Sequence, residues 1–467
     1  MSSFATLVFG AGILALFALY RDPKSRPSPA LWIPTIWILL AGSRMVSVWL
    51  TNQADVVRTA SEVGEGSPLD SVILAGLLMA GVIVLACRMR RVVAVLKMNW
   101  PLLAFFGYCL ASTLWSETPE LALKRWVKAT GDVVMVLIIL TDRNRLEAIK
   151  RVITRVAFIL MPLSVLLIEF YPTIGRAYSV EDGDYTYTGV TTNKNMLGVV
   201  CLVAGLGCLW LFVKALRERR RKVRELLALG GALATIFWLF VVANSITPLF
   251  CFLMGATLIV MVNLPGKQRA SNIHMVVAGM LSVALLIFVF PEIFTSIIQL
   301  FGRNSTLTGR TGLWKTLIAM DTRPWFGTGF ESFWLGNRLE QLWSIIPWQP
   351  NESHNGYLEV YLNLGWAGVG FLALLLGTGY RHLVDVYRQD PIAGSLRLAY
   401  FAAALAYSFS EAGFRMLDPM WIFLLLAIIA VPGPAGRRDL ELPLDASQEF
   451  VPVEVVPAHE MVYERVR

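Results

Sequence analysis

The sequence predicts an all-α polytopic membrane protein, and three observations carry that prediction. Hydrophobic residues fill 56% of the 467 positions and charged residues 16%, where a soluble domain carries about a quarter charged. Mean hydropathy is +0.60. Apolar runs able to cross about 30 Å of hydrocarbon, roughly 20 residues each, recur between charged or Pro/Gly-rich breaks.

About 12–13 transmembrane helices follow from those runs. They lie near Phe4 to Tyr20, Leu31 to Leu50, Ser71 to Cys87, Pro101 to Trp115, Trp126 to Leu140, Val152 to Tyr171, Met196 to Val213 and Leu226 to Ala243. The rest are near Pro248 to Val262, Met275 to Phe290, Tyr357 to Tyr380, Leu396 to Ser410 and Met416 to Val431. The first run has no Lys or Arg before it and no small-residue cleavage site ahead of Arg21, Lys24 and Arg26, so it reads as a retained helix rather than a signal peptide. Connecting segments alternate in charge: Arg88 to Lys97, Arg143 to Arg151 and Lys214 to Arg224 are basic, whereas Asp55 to Asp70 and Glu181 to Asp184 are acidic or nearly uncharged. The positive-inside rule then puts the N-terminus outside and the C-terminus inside. Topology accounts for the net charge of +8, and nucleic-acid binding is not needed to explain it. Cys87, Cys109, Cys201, Cys208 and Cys251 all fall in or at the ends of spans, as packing residues rather than external disulfides.

The organisation predicted is transmembrane helices over 1–290, one large outside loop over 291–355, further transmembrane helices over 356–431, and a Pro-rich, acidic, disordered cytoplasmic tail over 432–467. Within the loop, Leu313, Trp314, Leu317 and Ile318 recur at helical spacing before Arg323-Pro324 breaks the pattern, which fits an amphipathic helix at the membrane surface. A second short helix is expected over Asn337 to Ile346. Trp325, Trp334 and Trp348 sit near it as interface residues or sugar-stacking faces.

Candidate chemistry gathers on the outside. Of the four histidines, His354 alone falls there, in Glu352-Ser-His-Asn-Gly-Tyr357. An imidazole with an ordinary pKa of about 6.5 can take a proton from an attacking hydroxyl, with Glu352 or Asn355 to orient it; the alternative is a helix cap or interface anchor. Arg310, at the start of the amphipathic helix next to Gly309 and Gly312, offers a fork for phosphate or pyrophosphate, with Arg303 earlier in the chain; the alternative is snorkelling to headgroups, which suits Arg303 better. Lys194, flanked by Asn193 and Asn195 and following Gly175-Arg176, would face a polar cavity, with helix capping as the competing role for the asparagines. Trp314 and Asn355 complete the candidate substrate contacts. Lesser candidates are Lys124, Arg125 and Lys128, and Glu411 with Arg415, whose i, i+4 spacing suggests a local ion pair. The loop shows neither paired acidic spacing nor a His/carboxylate cluster, so no metal site is expected, and no phosphate-binding loop of the ATPase type occurs.

Four segments together carry a family resemblance: Thr191-Thr-Asn-Lys-Asn-Met-Leu-Gly198, Leu307-Thr-Gly-Arg-Thr-Gly-Leu-Trp314, Pro324-Trp-Phe-Gly-Thr-Gly-Phe330, and Ser353-His-Asn-Gly-Tyr357 followed by Gly365-Trp-Ala-Gly368. Their order around one outside loop resembles the O-antigen ligase and polysaccharide polymerase superfamily, in particular its exopolysaccharide polymerase branch. The resemblance implies a fold similar to membrane glycosyltransferases of the C type, in the bacterial inner membrane. It implies metal-independent, cofactor-free glycosyl transfer from an undecaprenyl-pyrophosphate-linked donor at the periplasmic face. Arg310 then matches the family arginine associated with the donor pyrophosphate and His354 the histidine near the acceptor, while either Arg176 or Lys194 matches a further basic position. Inversion by direct displacement is expected, because no outside carboxylate pair stands out. Polymerisation of repeats, with a chain-length regulator as an admissible partner, is the first reading. A ligase moving finished glycan to lipid A core is the second, and a polysaccharide-lipid flippase, from a different class, the third. Polar residues at helix ends rather than mid-membrane favour surface chemistry over transport.

Overall fold

The structure, a computed structural model, describes residues 2–21, 28–51, 66–179, 184–218, 223–263, 273–289, 308–320, 323–346 and 348–432. In chain order its helices are α1 (Ser2–Leu19), α2 (Trp32–Ala41), α3 (Val46–Thr51), α4 (Pro68–Ala86), α5 (Met89–Met98), α6 (Trp100–Ser112), α7 (Pro119–Leu140), α8 (Arg145–Phe170) and α9 (Pro172–Gly175). There follow α10 (Lys194–Arg217), α11 (Val223–Ala243), α12 (Ile246–Asn263), α13 (Ile273–Val289), α14 (Thr308–Ala319), α15 (Gly336–Ile345), α16 (Gly356–Gln389), α17 (Pro391–Tyr407) and α18 (Pro419–Ile428). Met1–Val431 is one compact unit. The tail predicted to be disordered, and Arg303, lie outside the described residues. A hairpin that the all-α reading did not foresee, β1 (Arg176–Ser179) with β2 (Asp184–Tyr187), pairs antiparallel with Arg176 opposite Tyr187.

Each predicted apolar run falls on a helix, but the helices are unequal. Among the described residues, α1, α4, α8, α10, α11, α12 and α16 are long and apolar enough to cross a membrane, seven in all, or eight if α5 and the following segment to Trp115, bent by 88°, form one span. Several of the 12–13 expected spans are short helices in the structure. A helix rises 1.5 Å per residue, so α2 and α18, of 10 residues each, reach only about 15 Å. In α7 the first turns carry Glu120, Lys124, Arg125 and Lys128, leaving its second half as the apolar part. α18 is covered by its neighbours instead: every one of its residues is buried.

The centre of the bundle is α10, where 78% of the apolar window is buried inside the protein against 6% for α1 at the periphery. It packs on α8, α11, α12, α17 and α18. Two helix starts are fixed by their asparagines: Asn193 Oδ1 accepts the Met196 N–H at 2.8 Å to cap α10, and Asn355 Oδ1 accepts the N–H groups of Tyr357 and Leu358, both at 3.0 Å, to cap α16.

α16 is broken at Gly365, whose φ of 65° and ψ of −169° are non-helical. The break frees backbone groups that a helix interior would pair, and the loop over 324–330 satisfies them. Trp366 N–H donates to the Pro324 carbonyl at 2.9 Å and Ala367 N–H to that of Trp325 at 3.1 Å; in the other direction Gly329 N–H donates to the Asn363 carbonyl at 2.8 Å. A Cβ at Gly327 would sit 2.4 Å from the Asn363 carbonyl carbon, so the loop and the broken helix touch backbone to backbone. Two of the sequence segments singled out above are thus the two halves of one joint.

The loop helices dock on protein. Leu313 and Leu317 of α14 are buried with Phe333, Trp334, Leu339, Leu342 and Leu362 in a small apolar core of their own, and Ile318 is left exposed. The expectation of a helix resting its apolar face on the membrane surface is corrected for Leu313 and Leu317, because that face is covered by α15 and the start of α16. Trp334 is likewise no interface residue: it is 3% exposed and its indole N–H donates to Glu359. Trp325 and Trp348 are exposed.

Candidate functional site

The N-terminal ends of α10, α12 and α16 meet the segment 408–418 between α17 and α18 at one end of the bundle, and a charged cluster forms there. Gly356 N–H donates to both the Ser408 and Glu411 carbonyls, at 2.8 and 2.9 Å, which ties that segment to the start of α16. From below, Leu417 N–H donates to the carboxylate of Asp132 in α7 at 2.9 Å, and the same carboxylate accepts from the Trp37 indole at 2.7 Å.

His354 stands immediately before the Asn355 cap with φ 50°, a left-handed conformation that costs a non-glycine residue about 1–3 kcal/mol. Its Nδ1 lies 3.1 Å from Glu352 Oε1 and 3.4 Å from Glu411 Oε2, so Nδ1 carries the proton and donates. Nε2 makes no hydrogen bond among the described residues, and Trp348 flanks the ring with centroids 6.0 Å apart. Burial works against the imidazolium, yet the hydrogen bonds and charges of Glu352 and Glu411 outweigh it and raise the His354 pKa to about 9. Burial likewise disfavours the Glu352 anion, but His354 and Arg415 hold its pKa down to about 2.

Arg310 reaches the cluster from α14. One nitrogen, Nη2, lies 3.2 Å from Glu411 Oε1, and the other, Nη1, donates to the Ser410 carbonyl. Arg415 donates to Glu352 Oε2 at 2.9 Å and lies 3.8 Å from Glu331 Oε2. Burial opposes its charge, but Glu331, Glu359 and Glu352 raise its pKa above the ordinary arginine value. Glu331, at φ 51°, accepts from Arg125 through its backbone carbonyl. The predicted local pair between Glu411 and Arg415 is therefore corrected. The 408–418 segment is not helical, so i, i+4 spacing does not bring those side chains together, and each pairs across the fold instead.

The asparagines of the 191–198 segment divide the roles left open by the sequence. Asn193 caps, whereas Asn195 enters the cluster, donating to Glu411 Oε1 at 3.4 Å while its own oxygen accepts from Ser245 at 3.0 Å. Lys194, half-buried, opens α10 between them. Arg176 is held in the hairpin: it donates to the Ile168 carbonyl at 3.0 Å and stacks over Tyr187, with no hydrogen bond or ion pair to the cluster among the described residues. Trp314 donates to the Ser353 carbonyl at 2.7 Å, and Asn355 to the Phe409 carbonyl at 3.2 Å; both brace the His354 turn from behind. Sequence reasoning missed Glu331 and the pairing of Glu352 with Arg415. A Glu two residues before His354 was the one available signal.

The expected absence of a His/carboxylate cluster is also corrected. Glu352, His354 and Glu411 offer ligand atoms within 4.8 Å of one another, because Glu411 arrives from a segment far along the chain. One imidazole and two carboxylates form a donor set that a divalent cation could use. Arg310 and Arg415 already pair with those carboxylates.

Residues 231–373 match the family described as O-antigen ligase; that stretch holds Arg310, Glu352 and His354, while Asn195, Glu411 and Arg415 lie beyond it. The chain is 26% identical to the exopolysaccharide production protein ExoQ of Rhizobium meliloti (strain 1021) over 59% of its own length. The match spans 63% of that protein, less than two thirds of it.

Proposed function

We propose that this multi-pass membrane chain, similar over residues 231–373 to the O-antigen ligase family and similar also to an exopolysaccharide production protein, transfers glycan from an undecaprenyl-pyrophosphate-linked donor at the periplasmic face of the inner membrane, polymerising repeat units. The observation that carries the reading is the convergence of Arg310 and His354, 44 residues apart in sequence, on the single carboxylate of Glu411. One supplies a planar cationic fork for a pyrophosphate leaving group. The other presents a free Nε2 to an acceptor hydroxyl, its Nδ1–H fixed by carboxylates, an arrangement that orients a base and strengthens it.

The leaving group needs charge neutralisation and alignment more than a covalent nucleophile. In this reading His354 Nε2 takes the acceptor proton as the hydroxyl oxygen attacks the anomeric carbon. The glycosidic bond to pyrophosphate breaks as its charge is met by Arg310, with Lys194 nearby on α10. A single displacement inverts the anomeric centre. Glu352 stays committed to Arg415, which supports inversion over a glycosyl-enzyme route and a metal-independent reaction over a metal-assisted one.

The test is the chain-length distribution of lipid-linked and surface glycan in a deletion strain complemented with wild type, His354→Ala or Arg310→Ala at equal membrane abundance. Single repeats accumulating in both variants are expected. Long lipid-linked chains that fail to reach an acceptor would instead establish the ligase, and normal glycan in both would remove the site assignment. Activity of the purified protein is expected to survive a chelator; loss restored by one added divalent metal would make Glu352, His354 and Glu411 a metal site.

A further inference from the structure

Glu411 is 4% exposed and accepts in three directions. Its Oε1 receives Arg310 Nη2 at 3.2 Å and Asn195 Nδ2 at 3.4 Å, and its Oε2 faces His354 Nδ1 at 3.4 Å. With the neighbouring Ser410 carbonyl on Nη1, residues 410 and 411 together fill the Arg310 fork. That fork is the group a pyrophosphate would need, and one edge of a guanidinium cannot serve two anions at once. The second half of the cluster is arranged differently. Glu352 has its own partner in Arg415 at 2.9 Å and lies closer to His354, at 3.1 Å, than Glu411 does. His354 therefore keeps a carboxylate if Glu411 moves, and Arg415 stays committed to Glu352 and Glu331.

We propose that Glu411 is a displaceable counter-ion: it balances Arg310 while no donor is bound and yields the Arg310 fork to the donor's pyrophosphate. No bond is made or broken; one anion replaces another on the same cation. Glu411 is a positioning residue, and Asn195, with Ser245 behind it, is the hydrogen-bond donor that holds the carboxylate on the Arg310 side. The segment that carries Glu411 is a turn rather than a helix, so a side-chain or turn adjustment suffices for the exchange. This rests on the reading that the donor presents a pyrophosphate to Arg310.

Full-length protein purified in detergent is titrated with inorganic pyrophosphate by calorimetry, for wild type, Arg310→Ala, Glu411→Gln and Asn195→Ala. Arg310→Ala is expected to lose binding. Glu411→Gln is expected to bind about tenfold tighter than wild type, the size of one charge-assisted contact no longer competing, and Asn195→Ala to tighten in the same direction by a smaller factor. A Glu411 that served only to support the fold would give the opposite sign, weaker binding with a lowered thermal midpoint. Unchanged or weaker binding in Glu411→Gln, or in Asn195→Ala should the first not accumulate, overturns the counter-ion while Arg310→Ala still tests the pyrophosphate site separately. Equal binding by wild type and Arg310→Ala, or none by wild type and Glu411→Gln alike, removes the pyrophosphate reading and the counter-ion with it.

Discussion

At the scale of single residues, His354 gathers the most constraint: a left-handed backbone, two carboxylates on one ring nitrogen and none on the other. A base whose pKa stands at about 9 is strong but sparsely deprotonated at neutral pH. Turnover by purified protein on a lipid-linked oligosaccharide should rise with pH and level off near 9. Glu352→Gln removes one cause of the raised pKa, so the rising limb should move to lower pH; a limb that stays in place would dissociate His354 from the rate. Stability follows the same group with a definite sign. A histidine whose folded pKa lies above its unfolded value of about 6.5 stabilises fully below that value and loses the contribution as pH rises through the folded pKa. The thermal midpoint should therefore fall between about pH 6.5 and 9 in the wild type and show no such fall in His354→Gln.

Among the elements, the joint between the broken α16 and the 324–330 loop sets the site's geometry. Asn363, just before the break, takes the N–H groups of Ser332 and Phe333 on its side-chain oxygen, at 2.8 and 3.0 Å, and so fixes the turn that presents Glu331 to Arg415. A Cβ at Gly365 would meet the Trp325 carbonyl carbon at 2.3 Å, at a φ of +65°. Gly365→Ala should cost about 3 kcal/mol or more, combining backbone strain with the clash, and read out as a lowered thermal midpoint. An unchanged midpoint would mean that the break is not required. Buried Asp132 is a second support, since it holds Leu417 and Trp37 from inside the bundle.

For the whole molecule, the cluster occupies one end of the helices and the basic groups Arg88, Arg91 and Lys150 the other. In the proposed topology, which follows the positive-inside rule, the first end faces outside. In a Cys87→Ser background, Glu340→Cys on α15 should react with a membrane-impermeant maleimide in spheroplasts, whereas native Cys87, exposed at the foot of α4, should react only after permeabilisation. The reverse pattern would invert the topology. The sequence by itself determined that the chain is a helical membrane protein, where its helices run, and that His354 and Arg310 are chemically conspicuous. Lipid demands contiguous apolar runs, and a loop charge between such runs is visible without a fold. Only the tertiary structure decided which charges meet. Glu411, Arg415 and Asn195 take partners from far along the chain, and spacing along a helix cannot report on a non-helical turn. The helix break at Gly365 was equally hidden, because the loop that satisfies its backbone groups lies 35 and more residues upstream, and hydropathy sees only the one long apolar run.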